Sequence, residues 1–303
     1  MNKGLTFKIN RVNKQDPTRT ATLRRKFTSN MMGRFNRLAL EIKQTIFDND
    51  FFDLEKGQKQ NKALAKKDGA SRSIDKKVEI FIAWLNRQID VIIFGNKDNP
   101  LFGDKTGKWM DIYTRAAYES GLKAGYVELK HEDYIEDDEP EPTLKGKSSR
   151  SKKYLAAILL LQLKTKEEMR GVTSAMVQQI SRVIIDDISA GESPRTVTMD
   201  VINRLNKVGK TRAKEVTNTE IVRDHDFAKL DIWTEYDVET VGILAEWITA
   251  QDDKVCPFCA ENEFSVYPIN ELYFILPAHP YCRCAPRLLP LTAGIPTQVD
   301  DII

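Results

Sequence analysis

The sequence predicts a mainly α-helical protein, with helical N-terminal and central regions and a small zinc-stabilised α+β module at the C-terminus. Three observations predict it. Apolar residues recur every three or four positions over most of the chain up to Tyr236, which is the period of an amphipathic helix. A stretch rich in β-branched residues, Val238 to Ala250, breaks that period. The four cysteines all follow it, as Cys256-x2-Cys259 and then His279-x2-Cys282-x-Cys284.

The chain opens with a basic arm, residues 1–19. Residues 1–37 hold ten Lys or Arg against one acid, Asp16. Lys3, Lys8, Arg11, Lys14 and Arg19 are the candidate nucleic-acid contacts, binding phosphates by counterion release without reading bases. Arg24, Arg25, Lys26, Arg34 and Arg37 are further cations that could do the same. The competing reading is a solvated tail, or one that docks on an acidic protein surface. From Thr20 to Asp48 the stripe Leu23, Phe27, Met31, Phe35, Leu38, Ile42 and Ile46 predicts one long helix. A stripe needs a core or a protein partner, so DNA contact is expected from residues 1–19 and docking from 20–47.

Residues 49–70 are polar and lysine-rich, a loop that Phe51 and Phe52 could anchor. Ser73 is the expected cap of a second helix with the stripe Ile74, Val78, Phe81, Ile82, Leu85, Ile89, Ile92 and Ile93, stopped at Gly95. Trp109, Ile112, Tyr113, Ala116 and Ala117 open a third. Together residues 20–131 read as a helical docking region. Seven acids lie between Glu132 and Glu141, followed by prolines and a basic run to Lys153. Residues 132–153 therefore read as a solvated charged linker. Within it the acids from Glu132 to Glu141 lack the glycine and spacing of a calcium loop.

Residues 154–236 read as a second helical part. Helices are expected near Tyr154 to Leu163 and near Ala175 to Ser189, the latter stopped by Gly191. Ser193 caps the next, with Pro194 in its first turn, and its stripe Val197, Val201 and Leu205 runs to Val208-Gly209. A longer helix follows from Thr211 to Tyr236. Glu220, Asp224, His225 and Asp226 on it have the residue types of a general-base site. The expectation for Asp224, His225 and Asp226 is a solvated helix surface. Glu220, between apolar Val216 and Ile221, is expected to be buried and to tie this helix to the cysteine region. Residues 237–292 form the zinc module, with further strands at Phe264 to Tyr267 and Arg283 to Leu289, and residues 293–303 a tail.

Cys256, Cys259, His279, Cys282 and Cys284 offer five donors where tetrahedral zinc takes four. Cys282 or Cys284 is expected to be the spare one, on the reading that they point opposite ways along Cys-Arg-Cys. Disulfides are the less favoured alternative, since Met1 to Gly4 lead into no apolar signal segment. Pro257 and Pro280 mark turns rather than core positions for inert thiols. His279 could activate a thiolate, yet the sequence offers no third residue to orient it. Asp252 and Asp253 are expected to bond backbone N–H groups of the turn before the first pair, rather than a second metal.

The run Trp247-x4-Asp252-Asp253-x2-Cys256-x2-Cys259, closed by Pro277-x-His279-Pro280-x-Cys282-Arg283-Cys284, resembles the head-morphogenesis (minor head) proteins of tailed phages, the phage Mu F-like group. Ile180 through Arg195 is similar to that family's helix, glycine stop and restart. Asn218-Thr219-Glu220 stands where the family commonly has Arg-Thr-Glu, so no role of that arginine carries over. The resemblance covers about residues 175–290. It implies a minor capsid component in the virion head near the portal vertex, made in the host cytoplasm. Its implied partners are the portal protein, other capsid subunits and phage DNA, and it implies structural roles for Glu220, Trp247, Asp252 and Asp253.

Composition agrees with a soluble protein that is not an enzyme of a common class. Hydrophobic residues are 41% and charged residues 30% of the 303, with a net charge of +2. The longest apolar run, Leu155 to Leu161, is too short for a bilayer, so no membrane partner is expected. No P-loop, dinucleotide glycine fingerprint, nucleophile elbow or H-E-x-x-H occurs. The rival functions are a zinc-supported nuclease or hydrolase using His279 with Asp252 or Asp253, and a general DNA-binding zinc protein.

Overall fold

A computed structural model describes residues 16–54, 68–95, 109–136, 138–145, 148–237 and 243–290. Helix α1 spans Ala21–Lys43 and runs into a π-helical turn, Gln44–Asp48. Its expected stripe is its buried face: Phe27, Met31, Phe35, Leu38, Ile42 and Ile46 have no exposed surface. Each such side chain contributes about 1.5–3 kcal/mol by leaving water. That face lies in the core, one of the two uses a stripe of this kind has, so the stripe itself is not a docking surface.

Helix α2 spans Asp68–Ile92, so Ser73 lies inside it rather than at its cap. Gly95 ends it in the left-handed region, at φ +69. Two buried side chains complete this end. Arg34 Nη1 donates to the Ile92 carbonyl at 2.7 Å and Trp109 Nε1 to that of Ile93 at 2.9 Å. These carbonyls lack partners within the helix, and a cation suits the negative end of its dipole. The Arg34 guanidinium also lies 4.0 Å from the Trp109 ring centre. Helix α3 follows at Asp111–His131.

Helix α4 is a single helix, Ser149–Ala190, where two were expected. Ser148 caps it by accepting the Ser151 N–H at 3.0 Å. Residues 164–174 break the apolar period but contain no proline, and Thr165, Met169, Val172 and Thr173 keep the inner face buried through them. Gly191 stops α4 at φ +76, and Ser193 caps helix α5, Pro194–Arg204, as expected. Val208-Gly209 is no break in the chain's helical path. It sits in a π-helical turn, Leu205–Lys210, that leads directly into helix α6, Thr211–Asp237. A Cβ on Gly209 would lie 2.5 Å from Met176 Sδ, so the turn is packed tightly against α4.

The predicted strands are present but shorter: β1 Leu244–Ile248, β2 Val266–Pro268 and β3 Ala285–Leu288. They form an antiparallel sheet in the order β2-β1-β3, with Ala245 opposite both Tyr267 and Leu288. Two short helices join them, α7 Pro257–Glu261 and α8 Ile269–Ile275. The molecule is thus mainly helical, with a small C-terminal strand region.

Residues 132–153 do not separate two cores. One core joins α1 and α2 to the later part of α4, to α5 and to the start of α6. The other joins α3, the start of α4, the end of α6 and the sheet. Helices α3, α4 and α6 run through both. Within the expected solvated linker, Leu144 is buried, and the Glu139 carboxylate accepts the Tyr236 hydroxyl at 3.0 Å. No described helix is long and apolar enough to cross a membrane.

Candidate metal centre

Local sequence rules assemble the site. Cys256 is the N-cap of α7, with Pro257 in its first turn, and its Sγ accepts the Cys259 N–H at 3.4 Å. Cap and first turn thus bring the C-x2-C sulfurs to one side. On the other side of the site, the His279 carbonyl accepts the Cys282 N–H at 3.1 Å in a tight turn. His279 Nδ1–H faces the Pro280 carbonyl at 2.7 Å, which leaves Nε2 as the acceptor nitrogen. That Nε2 lies 3.3 Å from Cys256 Sγ and 3.1 Å from Cys259 Sγ.

The five donors form two triads that share Cys259: Cys256, Cys259 and His279, and Cys259, Cys282 and Cys284. Within each triad the donor atoms lie within 4.8 Å of one another. Such a cluster of thiols and one imidazole could hold a metal ion. Cys282 and Cys284 do not point opposite ways. They are two residues apart, the spacing that brings side chains to one side of a chain, and both converge on Cys259.

The thiols depend on one another for their protons. The Cys284 thiol holds Cys282 down at about 5 by hydrogen bonding to it, against the effect of burial. The same bond, with burial, pushes Cys284 far up. Burial raises Cys259 to about 12, while the backbone N–H of Cys259 lowers Cys256. Buried sulfurs that must share protons are the kind a cation can neutralise in their place.

Around the donors, Trp247 on β1 is 1% exposed and meets Phe258 edge-on at 6.1 Å, closing the floor beneath α7. Asp252 fixes the two halves of the site to each other. Its oxygens accept Arg283 Nη1 and Nη2 at 2.7 and 2.6 Å, and the Lys254 N–H at 3.0 Å. Hydrogen bonds from Arg283 hold its carboxyl at about 2, low in the carboxylate range. Arg283 is the middle residue of Cys-Arg-Cys, so this bidentate pair orients both flanking thiols. Asp253 is exposed, and neither aspartate joins a metal-sized cluster among the described residues.

Glu220 is buried as expected but pairs with Arg223 on its own helix and not with the cysteine region. Its neighbour makes that tie: Thr219 Oγ1 accepts the Tyr281 N–H at 3.0 Å. Lys229 adds a second, donating to Glu128 and to the Pro286 carbonyl, each at 2.6 Å. Asp224, His225 and Asp226 are not solvated; each is 2% exposed or less. Helix α6 is enclosed by α1, α3, α4 and the sheet, so it has no solvent face along these residues. Burial, with the Glu220 charge beside it, pushes the Asp224 carboxyl well above its ordinary value; Thr114, Arg223 and Lys164 offset this only in part. His225 Nδ1 lies 3.1 Å from Asp226 Oδ1.

Of the basic arm, Lys3, Lys8, Arg11 and Lys14 lie outside the described residues. Arg19 is exposed, at φ 53, on the rim of a cleft of about 620 Å³ lined also by Lys123, His225, Lys229 and Arg287. Arg24 and Arg34 are buried and cannot meet phosphates, since Arg24 pairs with Asp16 and Arg34 caps α2. Arg25, Lys26 and Arg37 remain exposed. Thr219, Lys229 and Glu128 were missed in the sequence because each carries its tie through a backbone partner on another element, which no local spacing encodes. No protein-family model, curated protein or solved structure matches the chain.

Proposed function

We propose that this chain is a minor structural protein of a tailed-phage head, bound near the portal, in which one Zn(II) closes the C-terminal module. The observation that carries the proposal is the convergence of Cys256, Cys259, His279, Cys282 and Cys284, the residues on which the family resemblance rests. Thiolates and neutral imidazole are zinc's preferred donors, and Cys256, Cys259 and His279 with Cys282 or Cys284 supply the four a structural site uses. Such a closed set leaves zinc no position for a reactive water, which favours a structural protein over a nuclease or hydrolase. Zinc adds binding free energy to a module built on a sheet of three short strands.

The phage assignment rests on the sequence resemblance, and the ties of Thr219, Lys229 and Glu128 support its structural character by fixing the module to the helical body. DNA contact, on this reading, belongs to Lys3, Lys8, Arg11, Lys14 and Arg19. The experiment is co-expression with a portal protein from the same genome and isolation of portal rings. Retention of this chain at a fixed, low ratio per ring supports the proposal. Rings that form and purify without it, in the presence of folded chain, refute it.

A further inference from the structure

The apolar run Leu155 to Leu161 forms no membrane span and is only half used by the core. On the inner face of α4, Tyr154, Ile158 and Leu161 are buried. On the outer face, Leu155, Leu159, Leu160 and Leu163 are 38%, 56%, 68% and 52% exposed. A helix segment apolar on all sides is normally covered on all sides, and a contiguous leucine surface of this kind marks an interaction site. Leu155, Leu159 and Leu163 follow the four-residue spacing of one helix ridge, over about 12 Å of axis.

We infer that this ridge pairs with the same ridge of a second copy of the chain, the two α4 helices running antiparallel about a two-fold axis near Leu159. The ends of the ridge select this occupant. Lys152, one turn before Leu155, and Glu167, one turn after Leu163, are both exposed on the leucine side. In an antiparallel pair each Lys152 meets the other copy's Glu167, and the contact is made twice. A parallel pair would set Lys152 against Lys152. Among the described residues Glu167 is engaged by Arg170, in an exposed i,i+3 pair at 3.1 Å that exchanges readily. Ala156, between the leucines, lets the helices approach closely. Four leucines a side make a patch well below the roughly 800 Å² per partner of a standard interface. The dimer is therefore weak, and forms only at high concentration of the chain. The inference does not depend on the phage reading.

Sedimentation velocity of the full chain over a range of concentrations tests it. Wild type should pass from monomer to dimer as concentration rises. Leu159→Glu and Leu163→Glu, at sites already half exposed, should stay folded by circular dichroism and remain monomeric. Lys152→Glu and Glu167→Lys should each weaken association, and the double variant should restore it. A wild type that stays monomeric throughout, or a dimer indifferent to Leu159→Glu, overturns the pairing. Failure of the double variant to recover association overturns the antiparallel arrangement.

Discussion

Substituting alanine for glycine should have opposite effects at two helical positions, and the sign follows from what a methyl group would meet. Helices α3 and α6 approach through Gly121 and Gly125. A Cβ on Gly121 would sit 2.1 Å from the His225 carbonyl oxygen and 2.8 Å from Ala228 Cβ. The first is backbone in an enclosed helix and cannot rotate away, so the two helices must separate. Overpacking of this kind costs about 3 kcal/mol, the upper part of its usual range, offset by about 1 kcal/mol from alanine's better helix propensity. Gly121→Ala should therefore lose about 2 kcal/mol. Gly33 lies on the exposed side of α1 with nothing within 4 Å of its Cβ position. Gly33→Ala should gain about 0.5–1 kcal/mol from reduced unfolded-state freedom alone. Urea titrations followed by circular dichroism give both values, and melting should separate the two variants by several degrees, at about 2 °C per kcal/mol for a chain of this size. Gly121→Ala as stable as Gly33→Ala would refute the close helix approach on which the position of the metal module depends.

Asp224 holds its proton in the folded state to higher pH than in the unfolded one, because it is buried beside Glu220. The sign follows by linkage: its contribution is most favourable below the unfolded value near 4 and is lost as pH rises toward the folded value. Asp224→Asn should therefore raise the melting temperature at pH 7–8, and the gain should shrink toward pH 4; a constant or negative effect would contradict the assignment. For the arm, five phosphate contacts by Lys3, Lys8, Arg11, Lys14 and Arg19 give a log–log salt slope of roughly −4.5 for DNA binding. Deleting residues 1–19 should remove that slope, whereas unchanged DNA affinity after deletion would show that the arm binds something else.

Much of the helical frame was legible because a stripe at helical spacing and a cap are local signals. The Phe27 to Ile46 stripe, the Gly191 stop and the Ser193-Pro194 restart all lie where the sequence put them. Errors arose where tertiary surroundings overrode local pattern. The charged stretch near Lys164 looked like the end of a helix, yet without proline α4 continues through it. Asp224, His225 and Asp226 looked solvated by residue type, yet helix α6 has neighbours on every side. Arg34 counts in sequence among the cations free for a partner, yet it donates to a carbonyl 58 residues away. The metal-site residues were legible from spacing alone, since C-x2-C and H-x2-C-x-C are each short enough for a single turn to organise. Their arrangement was not. That both Cys282 and Cys284 reach Cys259 follows from their two-residue separation, and that Arg283 clamps Asp252 follows from the same geometry.

The most direct test is the metal content of the purified, reduced, full-length protein, measured by elemental analysis together with X-ray absorption at the zinc edge. The expected result is one zinc per chain, bound by sulfur and one imidazole nitrogen in a four-coordinate shell without a water oxygen, and lost in Cys259→Ala, whose sulfur belongs to both triads. Folded wild-type protein free of metal, or zinc with an oxygen in an open fourth position, would contradict it.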